Sequence, residues 1–201
     1  MMEPTEENVR AFEQRHAPQA PTEGLARVVH DRLPDLAGRH VLHVGAGAGG
    51  GTAELTAGGA LVTAVEPDAR LVAAAREREP AAAWLESPLD ALPLELGRGR
   101  FHLVLADHTI GRIGDLHAWA HGLEAALRPG GYLLLHDDHP LLRVVDSLLR
   151  WRSGYDDGPT VGSVVTALAR AGLVVRRVEE LTPQRPRGGV PHELLIVARK
   201  P

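Results

Sequence analysis

Residues 41–52 read Val41-Leu42-His43-Val44-Gly45-Ala46-Gly47-Ala48-Gly49-Gly50-Gly51-Thr52. A short apolar run ends in alternate glycines, and a helical pattern follows at once over 50–57. The reading is a buried parallel strand, a tight turn and a helix N-terminus in succession. Without a Cβ, the glycine backbone can take positive φ and let a ligand come close to its N–H groups. The free N–H groups of the helix that follows favour a negative or hydrogen-bond-accepting group. A second apolar run, Leu61-Val62-Thr63-Ala64-Val65, ends in Glu66. A carboxylate about 20 residues past a glycine turn can hold the two hydroxyls of a ribose. These features point to a nucleoside-containing cofactor. The glycines alone leave its kind open, because Gly45, Gly47 and Gly50 also satisfy the dinucleotide spacing.

Working outward, strands and helices alternate. Strands are expected over 41–45, 61–66, 82–86, 101–106 and 132–136, and helices over 50–57, 68–78 and 115–127. This alternation implies a doubly wound, mostly parallel sheet. Then the pattern changes. A helix over 161–171 leads into two apolar runs, 173–181 and 192–198, with only a Pro-rich loop between them. Strands joined without a helix are antiparallel neighbours, which gives a seven-stranded α/β sheet of Rossmann-like form with a C-terminal antiparallel hairpin. A dense apolar stripe, Leu141, Leu142, Val144, Val145, Leu148 and Leu149, predicts a helix within 141–157. Trp151 and Tyr155 follow it, as a cover for the sheet edge or as a wall for an acceptor. Towards the start of the chain, short helices are expected over 8–16 and 23–36. Residues 1–23 read as a small cover segment and 24–201 as one domain.

Composition narrows the class. The 201 residues carry 44% hydrophobic and 24% charged side chains and a net charge of -4, ordinary values for a soluble globular chain. That charge argues against nucleic acid as a partner. No cysteine is present, which removes disulfides, thiolate metal sites and cysteine nucleophiles together and suits a reducing cytoplasm. No apolar run is long enough to span a bilayer, so no membrane association is expected.

The chain resembles the class I S-adenosylmethionine-dependent methyltransferases. The resemblance rests on residues 41–49, on Val65-Glu66-Pro67-Asp68, on Phe101-His102-Leu103-Val104-Leu105-Ala106, and on Leu127-Arg128-Pro129-Gly130-Gly131-Tyr132-Leu133. It implies S-adenosylmethionine as cofactor and S-adenosylhomocysteine as product. It places Gly45, Ala46, Gly47 and Gly49 under the methionine part, Glu66 and Pro67 at the ribose, and Ala106 at the end of the fourth strand. The adenine amino group falls to Asp90 or to backbone around Leu89. Two residues depart from the family pattern: His43 and His102 stand where acids are usual. His43 is expected as a satisfied core histidine or as a substitute for the acid that orders the methionine ammonium.

Two strand ends carry further chemistry, Ala106-Asp107-His108-Thr109 and His136-Asp137-Asp138-His139-Pro140. In doubly wound sheets ligands bind beyond the C-terminal strand ends, so both clusters should face one acceptor space. A histidine there can take the acceptor's proton near neutral pH. His139 ranks first as that base, His108 second and His136 third. Asp107, His108, His136, Asp138 and His139 are also permissible metal ligands. The acid-Lys and Asp-Asn patterns of catechol-type methyltransferases are missing, however, so no metal is expected. The main reading is methyl transfer to oxygen or nitrogen of a small molecule. The alternatives are a cofactor-binding homologue without catalysis, or a non-methylating cyclase or decarboxylase on the same scaffold.

Overall fold

The computed structural model describes residues 35–93, 96–145, 150–182 and 190–201. They lie in a compact unit, Leu36–Pro201, apart from Asp35, which belongs to a second unit, Met1–Asp35. The helices expected over 8–16 and 23–36, and the cover segment 1–23, fall outside the described residues.

In chain order the elements are β1 (His40–Val44), α1 (Gly50–Ala57), β2 (Leu61–Glu66), α2 (Ala69–Arg78), β3 (Ala83–Glu86), β4 (Phe101–Asp107), α3 (Leu116–Ala126), β5 (Leu127–Asp138), α4 (Val161–Arg170), β6 (Val174–Leu181) and β7 (Glu193–Arg199). Short 3-10 turns, Ile110–Arg112 and Pro140–Arg143, follow β4 and β5. The seven strands form one sheet in the order β3-β2-β1-β4-β5-β7-β6. The first five are parallel, and β7 runs antiparallel to both β5 and β6. The seven-stranded sheet with its C-terminal hairpin is therefore as the sequence implied.

The parallel strands are continuous apolar runs because helices cover both faces. Val41, Leu42, Val44, Val104 and Leu105 have no exposed surface. Trp119, Ala120 and Leu123 of α3 and Val164 and Leu168 of α4 join Leu42, Val44 and Val104 in one core. Helix starts are set by local chemistry. Asp68 accepts from Arg70 N at 2.9 Å, Asp115 accepts from the N–H groups of His117 and Ala118, and Thr160 and Ser163 form a reciprocal capping box.

Two expectations are corrected. The fifth strand begins at Leu127, not Tyr132: Phe101 pairs with Leu127, and the ladder resumes at Leu103 and Tyr132 across an irregularity. Arg128 to Gly131 thus form an irregular start to β5, with Gly130 at φ +77. The stripe after β5 is no long helix over its described part. It is the 3-10 turn Pro140–Arg143, followed by a bridge between Val145 and Trp151; residues 146–149 are outside the described set. Pro140 and the His139 cap favour a tight turn there.

Candidate active site

The glycine turn joins β1 to α1, and Gly45, Gly47 and Gly49 all take positive φ. They do so for different reasons. A Cβ on Gly45 would lie 2.2 Å from the carbonyl oxygen of Asp107, and one on Gly49 would lie 3.1 Å from the Trp84 ring. These two glycines let the turn pack on protein. A Cβ on Gly47 would meet nothing within 4 Å, so this is the side left open to a ligand. The N–H groups of Gly45 and Ala46 are tied to Val65 O. Helix α1 starts at Gly49 without a side-chain cap, which leaves its first-turn N–H groups for a ligand.

Glu66, at the end of β2, is fully buried. Gly47 N–H donates to its Oε2 at 3.0 Å and Asp68 N–H to its Oε1 at 3.2 Å. The guanidinium of Arg112 closes the carboxylate from the other side. Its Nη1 donates to Oε2 at 3.2 Å, and its Nη2 donates to Oε1. Open space at Gly47 beside a buried strand-end carboxylate fits a ribose-bearing cofactor. Pro67 is exposed at the rim, Ala46 and Ala106 are buried in the turn and strand end, and Leu89 is buried in the loop after β3. One oxygen of Asp90 is committed elsewhere: it accepts from Gly114 N at 2.8 Å and from Asp115 N at 3.0 Å. Those bonds hold its carboxyl below the usual range and tie the loop after β3 to the start of α3.

The departures at His43 and His102 resolve into contacts. His43 is buried in β1, with Thr52 Oγ1 2.9 Å from its Nδ1 and Asp107 Oδ2 3.7 Å from its Nε2. It bridges α1 and the end of β4. His102 stacks on His40 and accepts from His40 N at 3.2 Å.

The two strand-end clusters meet as expected, because Asp107 and His136 are register partners. His136 Nδ1 donates to Asp107 Oδ1 at 2.9 Å, and its Nε2 lies 3.7 Å from Glu193. Burial disfavours the His136 cation, but Asp107 and Glu193 outweigh it and push its pKa up to about 9. Burial likewise opposes ionisation of Asp107. The imidazoles of His136 and His43 prevail and hold its carboxyl well below the usual range. His136 is thus an imidazolium at neutral pH, with no lone pair to accept a proton. His139 is buried too, and both its nitrogens are used: Nε2 is 2.7 Å from Glu180 Oε1, and Nδ1 accepts from Leu141 N at 3.2 Å.

His108 differs. It is half exposed, and among the described residues it alone has positive φ without being glycine, at +47. Such a backbone is strained and recurs at functional sites. Asp107 Oδ1 is 3.9 Å from its Nε2 and Asp138 Oδ2 is 3.8 Å from its Nδ1, both too far for a hydrogen bond. Asp107, His108 and His136 also converge closely enough to ligate a cation, although the Asp107–His136 bond already occupies two of those groups.

A cleft of ≈ 250 Å³ opens over the two 3-10 turns, lined by Ile110, Ile113, Pro140, Arg143, Val144 and Tyr155 among others. Asp137, buried at the end of β5, accepts from Ile110 N at 2.7 Å and so fixes the turn that carries Arg112. Burial raises its carboxyl pKa. Arg112 and Glu193 were not legible as site residues in the sequence. Arg112 meets Glu66 across 46 positions, and Glu193 lies in the terminal hairpin; neither belongs to a motif. Asp107 did carry a signal, a carboxylate at the C-terminal end of a parallel strand.

Comparison with known proteins bears on the family and the fold. Residues 14–176 match the family described as methyltransferase domain. The trans-aconitate 2-methyltransferase of Paracidovorax citrulli is 29% identical over 147 residues, 69% of this chain and 56% of that protein. The chain thus spans little more than half the length of that curated relative. Among solved structures, an S-adenosylmethionine-dependent methyltransferase from Mesorhizobium loti superposes with a TM-score of 0.76 at 23% identity, over 88% of this chain and 99% of that one. The 4+2 cyclase SpnF has the same fold, with a TM-score of 0.71 at 16% identity over 88% of this chain and 80% of that one, so the fold alone does not name the reaction. With the family match covering most of the chain, and with the glycine turn, strand-end acid and terminal hairpin in place, the chain belongs to the S-adenosylmethionine-dependent methyltransferases.

Proposed function

We propose that this protein methylates an oxygen or nitrogen of a small molecule held in the cleft over the two 3-10 turns, with His108 as the base. The observation that carries this reading is the position of His108. It is a half-exposed imidazole at the end of β4, two positions before Ile110, which lines a cleft of ≈ 250 Å³. Bound S-adenosylmethionine supplies an activated methyl group. The uncapped first-turn N–H groups of α1, the open side of Gly47 and the Glu66 carboxylate hold that cofactor. Ile110, Ile113, Pro140 and Val144 exclude water around the acceptor, and such positioning can supply several kcal/mol of the barrier. His108 takes the acceptor's proton, a contribution of about 10²–10⁴-fold. Asp107 and Asp138 stabilise the imidazolium that results. The Asp107–His136 pair keeps the floor of the site rigid, and His139 anchors the turn after β5.

No helix among the described residues is long and apolar enough to cross a membrane. The net charge of -4 and the lack of cysteine suit a cytoplasmic enzyme with no nucleic-acid partner. The test is calorimetry with S-adenosylhomocysteine, then release of S-adenosylhomocysteine from S-adenosylmethionine across an acceptor panel that includes trans-aconitate. Binding together with acceptor-dependent release supports the proposal. Tight binding with no turnover on any acceptor favours a non-methylating role, the alternative that the cyclase neighbour illustrates. No binding removes the cofactor assignment.

A further inference from the structure

A carboxylate offers about four acceptor positions, two on each oxygen. At Glu66 all four are taken. Oε1 receives Asp68 N–H and Arg112 Nη2, and Oε2 receives Gly47 N–H and Arg112 Nη1. Glu66 has no exposed surface, whereas Arg112 is 37% exposed; the guanidinium stands between the carboxylate and solvent. A ribose hydroxyl can therefore reach Glu66 only by displacing one of these donors. Two of them are backbone groups, one in the glycine turn and one at the N-cap of α2, and they are part of the fold. The third donor group is a long side chain at the exposed end of the 3-10 turn Ile110–Arg112, so it is the group free to leave.

We infer that Arg112 is a displaceable stopper on the cofactor site: it satisfies Glu66 in the empty protein, and the ribose must expel it to bind. This rests on the reading of Glu66 as the ribose acid. The stopper keeps a buried carboxylate paired while the site is empty, and cofactor binding bears the cost of its removal. Apparent affinity is reduced by the fraction of molecules in which Glu66 is free. The residues on either side of Arg112, Gly111 and Ile113, line the acceptor cleft. The expelled guanidinium thus swings out from the rim of that cleft, where it can meet an acceptor that carries negative charge.

The test uses S-adenosylhomocysteine, whose amino and carboxylate groups cancel in charge, as the probe for the full chain. Arg112→Ala should bind it about tenfold more tightly, with the gain in the association rate. The ligand-free variant should melt at a lower temperature than wild type and show a larger rise on adding the probe. Glu66→Ala should cost a larger factor in affinity in the Arg112→Ala background than in wild type. For wild type, affinity for the probe should rise between ~0.05 and ~0.5 M NaCl as the pair is screened; this arm needs no variant and holds even if Arg112→Ala fails to fold. Weaker or unchanged binding in folded Arg112→Ala, or a wild-type affinity that is flat or falls with salt, overturns the stopper. If Glu66→Ala binds the probe as well as wild type in both backgrounds, the ribose assignment itself fails.

Discussion

Asp107 and His136 face each other as register partners on β4 and β5, joined by a 2.9 Å hydrogen bond at the C-terminal end of β4. The pair makes one strand end anionic and the other cationic at neutral pH, and His43 and Glu193 extend it to either side. It accounts for a buried histidine next to an exposed one: His136 is spent on structure, and His108 stays available.

The first prediction follows from that pair. His136 has a folded pKa of about 9, raised from 6.5, so its contribution is complete below pH 6.5 and is lost as pH rises through about 9. Asp107 is depressed, so its contribution is present above its ordinary 3.8 and is lost as pH falls below that value. Wild type should therefore be more stable at pH 6 than at pH 10 by an amount that Asp107→Asn largely removes. At pH 6 the variant should lose about 3–5 kcal/mol, the cost of breaking a buried pair. Denaturant melts of both proteins at the two pH values measure this. Equal losses at both would mean the pair is not ionised as described.

The second prediction separates two glycines. Gly45→Ala places a Cβ 2.2 Å from the Asp107 carbonyl at φ +84, and should destabilise the fold by more than about 2 kcal/mol. Gly47→Ala meets no protein atom within 4 Å and has φ +54. It should cost about 1–2 kcal/mol of backbone strain and yet abolish or sharply weaken binding of S-adenosylhomocysteine. Melting temperature and calorimetry on the two variants give the comparison, and normal binding by Gly47→Ala would place the cofactor elsewhere.

A third prediction concerns Glu66. Glu66→Ala should weaken S-adenosylhomocysteine by about 1–3 kcal/mol, the usual loss for a charged hydrogen-bond partner. Calorimetry reads it directly, and circular dichroism shows whether the variant is folded.

The fourth concerns the base. His108→Ala should lower turnover by about 10²-fold or more at neutral pH on a hydroxyl acceptor, with little change in cofactor affinity. His139→Ala should mainly lower stability, by about 1–2 kcal/mol for the lost cap and hydrogen bond, and leave the shape of the rate–pH curve intact. Rate against pH for wild type and both variants decides between them. A full rate in His108→Ala would leave positioning as the whole of the mechanism.

The N-terminal half of the sheet was readable because its signals are local. Residues 41–52 contain a strand, a turn and a helix start within a dozen positions, and Glu66 follows at the spacing a ribose acid needs. The terminal hairpin was readable for a similar reason: two apolar runs without an intervening helix have few ways to pair. The apolar stripe after His139 misled. It satisfies a helical period, but His139 and Pro140 impose a 3-10 turn, and Val144 is buried just after that turn instead of on a helix face.

The sequence by itself determined the order of strands and helices, the glycine turn and the carboxylate at the end of β2, since each depends on residues close together in the chain. Only the tertiary structure decided which histidine stays exposed. His136, His139 and His108 are alike in sequence, each beside an acid at a strand end. Their difference comes from Asp107, Glu180 and Glu193, brought in from β4, β6 and β7. The same holds for Arg112, whose partner on β2 is 46 positions away. Protonation and access depend on burial and on charges a few ångströms off, and the packing of the sheet sets both.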